Sequence, residues 1–118
     1  MATIKSYTDI SQSKKLAEIL PLESADMHYW LAWRGDVPKE KRNTPKVGTP
    51  NKDSIKTYWC PCWSLAALLD ILPNYEINNF GNNIQLDVNN EALITEDNET
   101  LLDLVVNMII HLHKLKML

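Results

Sequence analysis

The chain has 118 residues, 45% of them hydrophobic and 23% charged, with a formal net charge of −3 at pH 7. That length predicts one domain able to bury a core of its own, and Pro 6 with Gly 3 excludes a collagenous or low-complexity chain. The acidic balance excludes the global basic field of a dedicated nucleic-acid binder, and two cysteines are too few for a secreted disulfide scaffold.

The first residues, Met1 to Tyr7, carry no apolar signal-peptide core. The apolar stretches are broken by Asp70, Asp103 and Asn107, and none approaches the ~20 residues that span a bilayer. The expectation is a cytoplasmic protein without a membrane partner. Charge is uneven: residues 1–56 hold ten Lys/Arg and seven Asp/Glu, whereas residues 57–118 hold two and eight.

Asp9 to Leu20 reads as a helix. Asp9 and Gln12 have capping-box spacing, and Pro21 disfavours helical geometry at Leu20. Met27 to Trp33 reads as a strand with Met27, Tyr29, Leu31 and Trp33 on one face and His28, Trp30 and Ala32 on the other. Both faces are largely apolar, so the strand is covered on both sides or presents Trp30 to a partner.

Residues 35–54 have no period and hold most of a basic stretch. From Arg34 to Lys56 there are seven Lys/Arg against three Asp/Glu, among three prolines and two glycines. This is read as a mobile, solvated loop. Arg34-Gly35-Asp36 spells an adhesive tripeptide and is read as a turn. Ile55 to Trp59 resumes strand character and is expected to pair antiparallel with 27–33.

Cys60-Pro61-Cys62 is read as the start of a helix through Leu72, with proline in the first turn and Pro73 as the stop. Only Ser64 and Asp70 are polar in it, which predicts a buried central helix. Strands follow near 75–80, 84–88 and 92–95, separated by Gly81-Asn82-Asn83 and Asn89-Asn90 turns. A last helix runs from Thr100 to about Lys116. Its expected buried face is Leu101, Leu104, Val105, Met108, Ile109, Leu112 and Leu115, opposite a stripe of Asp103, Asn107, His111 and Lys114. The order α-β-β-α-β-β-β-α predicts an α+β single domain over 1–118, an antiparallel sheet of about five short strands with helices packed on it.

Three sets of residues resemble one group of proteins. They are Glu23-Ser24-Ala25-Asp26-Met27, the Pro61-to-Pro73 segment with its Cys-Trp-Ser-Leu-Ala-Ala-Leu-Leu run, and the closing apolar helix. The group comprises small uncharacterised proteins of gut Bacteroides-type bacteria, their phages and mobile elements. The resemblance implies an intracellular setting and an accessory or mobile-element role. It transfers no site.

Cys60 and Cys62, with His111 and His113, supply zinc-type ligands. Positions two apart on a helix point apart, however, so the two histidines chelate together only if the helix frays before His111. Cys62 at a helix N-terminus would have a stabilised thiolate, but the apolar run around it favours burial. Asp87 opens an EF-hand-like spacing that fails at Ala92 and Asn98. Glu91, Glu96, Asp97, Glu99 and Asp103 then read as a solvated acidic edge. No metal, cofactor or catalytic motif is assigned.

All four tryptophans lie between 30 and 63, and Trp is enriched at binding hot spots. The leading expectation is a non-enzymatic protein-interaction module. Its surface is an aromatic hairpin and the basic loop, formed by Trp30, Trp33, Arg34, Lys39, Lys41, Arg42 and Trp59, and its partner is another protein. Homo-oligomerisation is left open. A thiol or zinc protein using Cys60 and Cys62 is one alternative. A single-stranded nucleic-acid binder acting through the loop is a less favoured one.

Overall fold

The computed structural model describes residues 5–30, 44–48 and 59–118, without the side chains of Trp30 and Trp59. Among the described residues the fold is α+β, with three α-helices and two three-stranded antiparallel sheets. The single sheet expected from the strand count is therefore divided in two.

Helix α1 spans Ile10–Ala17. The capping box is present: Asp9 Oδ1 accepts from Gln12 N at 2.7 Å, and Gln12 Oε1 accepts from Asp9 N at 3.1 Å. A 3-10 turn at Leu22–Ser24 leads into strand β1, Met27–Trp30. Tyr29 is buried, and Met27 packs on the same side, as the alternation predicts. Residues 31–33 of the expected strand lie outside the described residues.

Most of the basic loop also lies outside them. The described piece, 44–48, contains a strand that no sequence pattern announced: β2, Lys46–Val47, pairs antiparallel with β1. Two residues carry no period, so β2 depends on β1 as its template. Gly48 N donates to Asp26 O at 2.8 Å, and Gly48 O lies 2.8 Å from His28 Nδ1.

Strand β3 is Trp59–Cys62 and pairs antiparallel with β1, placing Cys60 opposite Tyr29 and Cys62 opposite Met27. The expected antiparallel pairing is there and reaches on to Cys62; residues 55–58 lie outside the described residues. Cys60-Pro61-Cys62 is thus strand, and the helix start expected at this point is displaced. An edge strand tolerates proline, because no ladder hydrogen bond is demanded of its missing N–H. Helix α2, Leu65–Ile71, begins only after Ser64, whose Oγ accepts from Ala67 N at 3.2 Å. Asp26 holds this cap: its carboxylate accepts from Ser64 N at 2.9 Å and from the Ser64 hydroxyl. A contact 38 residues away in sequence has no local signature.

The central helix is also a correction. Among α2 residues only Leu68 is fully buried, while Ala66 and Asp70 are exposed. The helix that carries the core is α3, Leu101–Lys114, with seven buried side chains. Each contributes roughly 1.5–3 kcal/mol on leaving water. Leu104, Val105, Met108, Ile109 and Leu112 are buried as expected, joined by Leu102 and Val106. Leu101 is half-buried, and Leu115 is exposed beyond the helix end.

The second sheet is a meander, β4 (Tyr75–Phe80), β5 (Asn83–Val88) and β6 (Glu91–Ile94), in that order. Gly81, at φ +64°, begins the first two-residue turn, and Asn89 and Asn90, at φ 49° and 70°, form the second. Leu86 and Val88 of β5 are buried in the same core as α3, Trp63 and Leu68.

Candidate functional site

Trp30 and Trp59 are direct partners at the end of the β1–β3 ladder. Trp33, Arg34, Lys39, Lys41 and Arg42 all lie outside the described residues. The fourth tryptophan, Trp63, is wholly buried, and its indole Nε1 donates to Ser24 Oγ at 2.9 Å.

Two residues apart on β3, Cys60 and Cys62 face the same side, as strand geometry requires. Both are buried under Tyr7, Ile10 and Tyr29 as free thiols. Around Cys62 lies a closed polar knot. Its thiol donates to Thr8 O at 3.4 Å, and the Tyr29 hydroxyl donates to the same carbonyl at 2.6 Å. Thr8 Oγ1 donates to Cys62 Sγ at 3.5 Å, lies 2.7 Å from Ser13 Oγ, and accepts from Trp63 N at 3.2 Å. Thr8 and Ser13 are fully buried.

Burial raises the Cys62 thiol, and hydrogen bonds from Thr8, Tyr29 and Ser13 offset only part of that rise. Burial likewise raises Cys60, despite the opposing pull of Lys14. Tyr29 is pushed far up, by burial first and by Cys62 next. The knot holds protonated groups away from water, the opposite of the exposed thiolate that nucleophilic chemistry needs. The helix dipole expected to favour a Cys62 thiolate is not at Cys62, since α2 starts at Leu65.

Helix α3 is continuous through His111 and His113. His111 Nε2 lies 3.1 Å from Glu91 Oε2, and His113 is exposed. Among the described residues, no three His, Cys, Asp or Glu side chains gather as metal ligands would. No helix of these residues is long and apolar enough to cross a membrane.

Several of the acidic residues have individual local partners. Glu99 accepts from Glu96 N at 2.7 Å and from Asn107 Nδ2 at 3.0 Å, and Asp87 accepts from Gln85. Asp103 does most. Its Oδ1 accepts from Lys5 Nζ and from Gln12 Nε2, both at 2.8 Å, and its Oδ2 accepts from Thr100 N at 3.0 Å. Burial works to raise this carboxyl, but the bonds from Lys5, Thr100 and Gln12 outweigh it and hold the pKa at about 2. Asn74, Tyr75, Glu76, Asp87, Asn89 and Asn90 line an open cleft of about 600 Å³ beside β4.

The feature that sequence reasoning missed is the second sheet's uncovered rim. Phe80 is 58% exposed, Ile94 54%, Tyr75 43% and Ile77 37%. Tyr75 and Ile77 share the core-side face of the sheet, being paired with the buried Val88 and Leu86. Among the described residues α3 packs over β5 and β6, and Tyr75 and Ile77 on the neighbouring β4 stay open to water. Phe80 and Ile94 belong to the opposite face. The signal was available: Tyr75-Glu76-Ile77 alternates as a strand, and β4 opens the three-strand run, where an edge is expected.

The chain was compared with protein-family models, with curated proteins and with solved structures, and none of the three gave a match.

Proposed function

We propose that this chain is a protein-interaction module acting by non-covalent docking, with the β4 rim of the second sheet as its contact surface. The observation that carries this reading is the placement of three large apolar side chains, Tyr75, Ile77 and Phe80, in water on the one edge strand β4. Exposed apolar groups clustered on one element mark interaction sites more often than scattered single ones do. The described thiols are buried, which favours docking over a thiol reaction. The aromatic end of the β1–β3 hairpin, Trp30 and Trp59, with the basic segment 34–56, is a second surface of the same module. It is supported by sequence composition.

Native mass spectrometry of the protein isolated gently from its own cells tests this. The expected result is a stoichiometric second polypeptide, either another copy or a different chain. Its occupancy should fall in a Tyr75→Ser/Phe80→Ser variant of unchanged circular dichroism. A bare chain up to about 1 mM with no retained polypeptide refutes the module. A zinc-sized mass increment would instead revive the metal reading.

A further inference from the structure

We propose that two copies of this chain join through their β4 strands, edge to edge and antiparallel, with Ile77 opposite Ile77 of the second copy. This inference rests on the reading of the second sheet as the contact surface and names the partner that fits it.

Sheet edges are normally defended by short length, lysine, proline, bulges or cover. The first sheet follows that rule. Its β2 edge is two residues long and contains Lys46, while its β3 edge contains Pro61 and is flanked by the Tyr7–Ser64 bridge. In the second sheet β6 is four residues long, and its Glu91 is engaged by His111. Among the described residues β4 has none of these defences, and its one charge is Glu76. It is six residues long, pairs with β5 one-to-one without a bulge, and contains neither lysine nor proline.

The backbone phase is set by the turn. A two-residue hairpin is closed by a hydrogen-bonded pair, here Phe80 with Asn83. Bonding then alternates along the strand. Phe80, Asn78 and Glu76 therefore bond β5, and the amides and carbonyls of Tyr75, Ile77 and Asn79 point outward. These outward groups can exchange bonds with the same residues of a second copy in the pairs Tyr75–Asn79, Ile77–Ile77 and Asn79–Tyr75.

Side chains agree with this register. Glu76, the strand's sole charge, meets Asn78 of the second copy. Ile77 meets its own counterpart, and each Tyr75 ring lies diagonal to the other copy's Ile77, within reach of aromatic side chains. Shifting the register two residues one way sets Glu76 against Glu76. Shifting it two residues the other way sets both Ile77 side chains against Asn79. A one-residue slip meets amides already bonded to β5. One register therefore satisfies hydrogen bonds, charge and apolar contact together. The product is a six-stranded sheet with a closed two-fold axis, the commonest symmetry of oligomers.

Sedimentation velocity on the full chain, from about 10 μM to about 1 mM, tests the register. The wild type should pass from monomer to dimer over this range. Asn79→Pro removes an outward N–H while leaving every bond to β5 intact, and should weaken dimerisation at least about tenfold with an unchanged urea midpoint. Asn78→Lys sets a lysine opposite each Glu76 and should tighten it about three- to tenfold. That gain is not mimicked by misfolding. A wild type that stays monomeric at about 1 mM overturns the proposal, as does a dimer indifferent to both substitutions. A monomer that nevertheless retains a different polypeptide through Tyr75 and Phe80 overturns the dimer alone and leaves the interaction module standing.

Discussion

Replacing Asp103 with asparagine should destabilise the fold at neutral pH by about 2 kcal/mol, and the penalty should disappear in acid. Asp103 is the acidic member of the α3 capping box and also receives Lys5 and Gln12 from the N-terminal segment. Its carboxyl is held at about 2 against an ordinary value of 3.8. Each tenfold difference in proton affinity is worth about 1.4 kcal/mol, so the folded state gains roughly 2–2.5 kcal/mol from ionised Asp103. Because the folded value is the lower one, that stability is fully present above about pH 4. It is lost as pH falls toward 2. Urea titrations of the wild type and Asp103→Asn at half-unit steps from pH 7 to pH 2 would measure it. The two stability curves should run apart above pH 4 and converge below it. Parallel curves over the whole range would refute the assignment of acid sensitivity to this carboxyl.

Three further outcomes are expected. In the native protein Cys60 and Cys62 should resist an aromatic disulfide reagent, and both should react once urea unfolds the chain; rapid native labelling would contradict the closed knot around Thr8. Trp63→Ala should cost about 3–5 kcal/mol and Trp63→Phe less, by thermal unfolding, since the first empties a buried site and the second removes less volume along with one hydrogen bond to Ser24. Lys116 occupies the left-handed region at φ 60° and closes α3 through Met117 N to Leu112 O at 2.9 Å, a position glycine usually holds. Lys116→Gly should therefore stabilise the protein by about 0.5–1 kcal/mol, and a lowered urea midpoint would refute this reading of the helix end.

What could be read in advance followed from short-range chemistry. Asp9 with Gln12, Thr100 with Asp103, and the Gly81 and Asn89-Asn90 turns act over a few residues. The ends they mark fall within one or two residues of expectation, whereas α1 stops at Ala17, three residues before the expected Leu20. The errors come from distant residues. Cys60-Pro61-Cys62 followed by an apolar run fits a strand or a helix start equally well. The choice was made by Asp26, which caps Ser64, and by β1, which templates β3. The weight placed on α2 came from counting its apolar residues, yet a small domain cannot cover them all, and the broader face of α3 took the centre. The polar knot was invisible because Thr8 and Ser13 look like ordinary surface residues near a helix start. The basic segment carried most of the expected binding residues and lies largely outside the described chain; only β2 emerges from it.

The position of α3 also determines when the fold can form during synthesis. The meander ends at Ile94, and the helix that covers Leu86 and Val88 is complete only at Lys114, about twenty residues later. At translation rates of about 5–20 residues per second, that interval lasts roughly 1–4 s. Throughout it the nascent meander exposes the apolar face that carries Ile77, Leu86 and Val88, together with its β4 edge. On a polysome, neighbouring nascent chains would display that same edge side by side. Such crowding selects for chaperone shielding of the emerging sheet, or for copies that first meet while still being made.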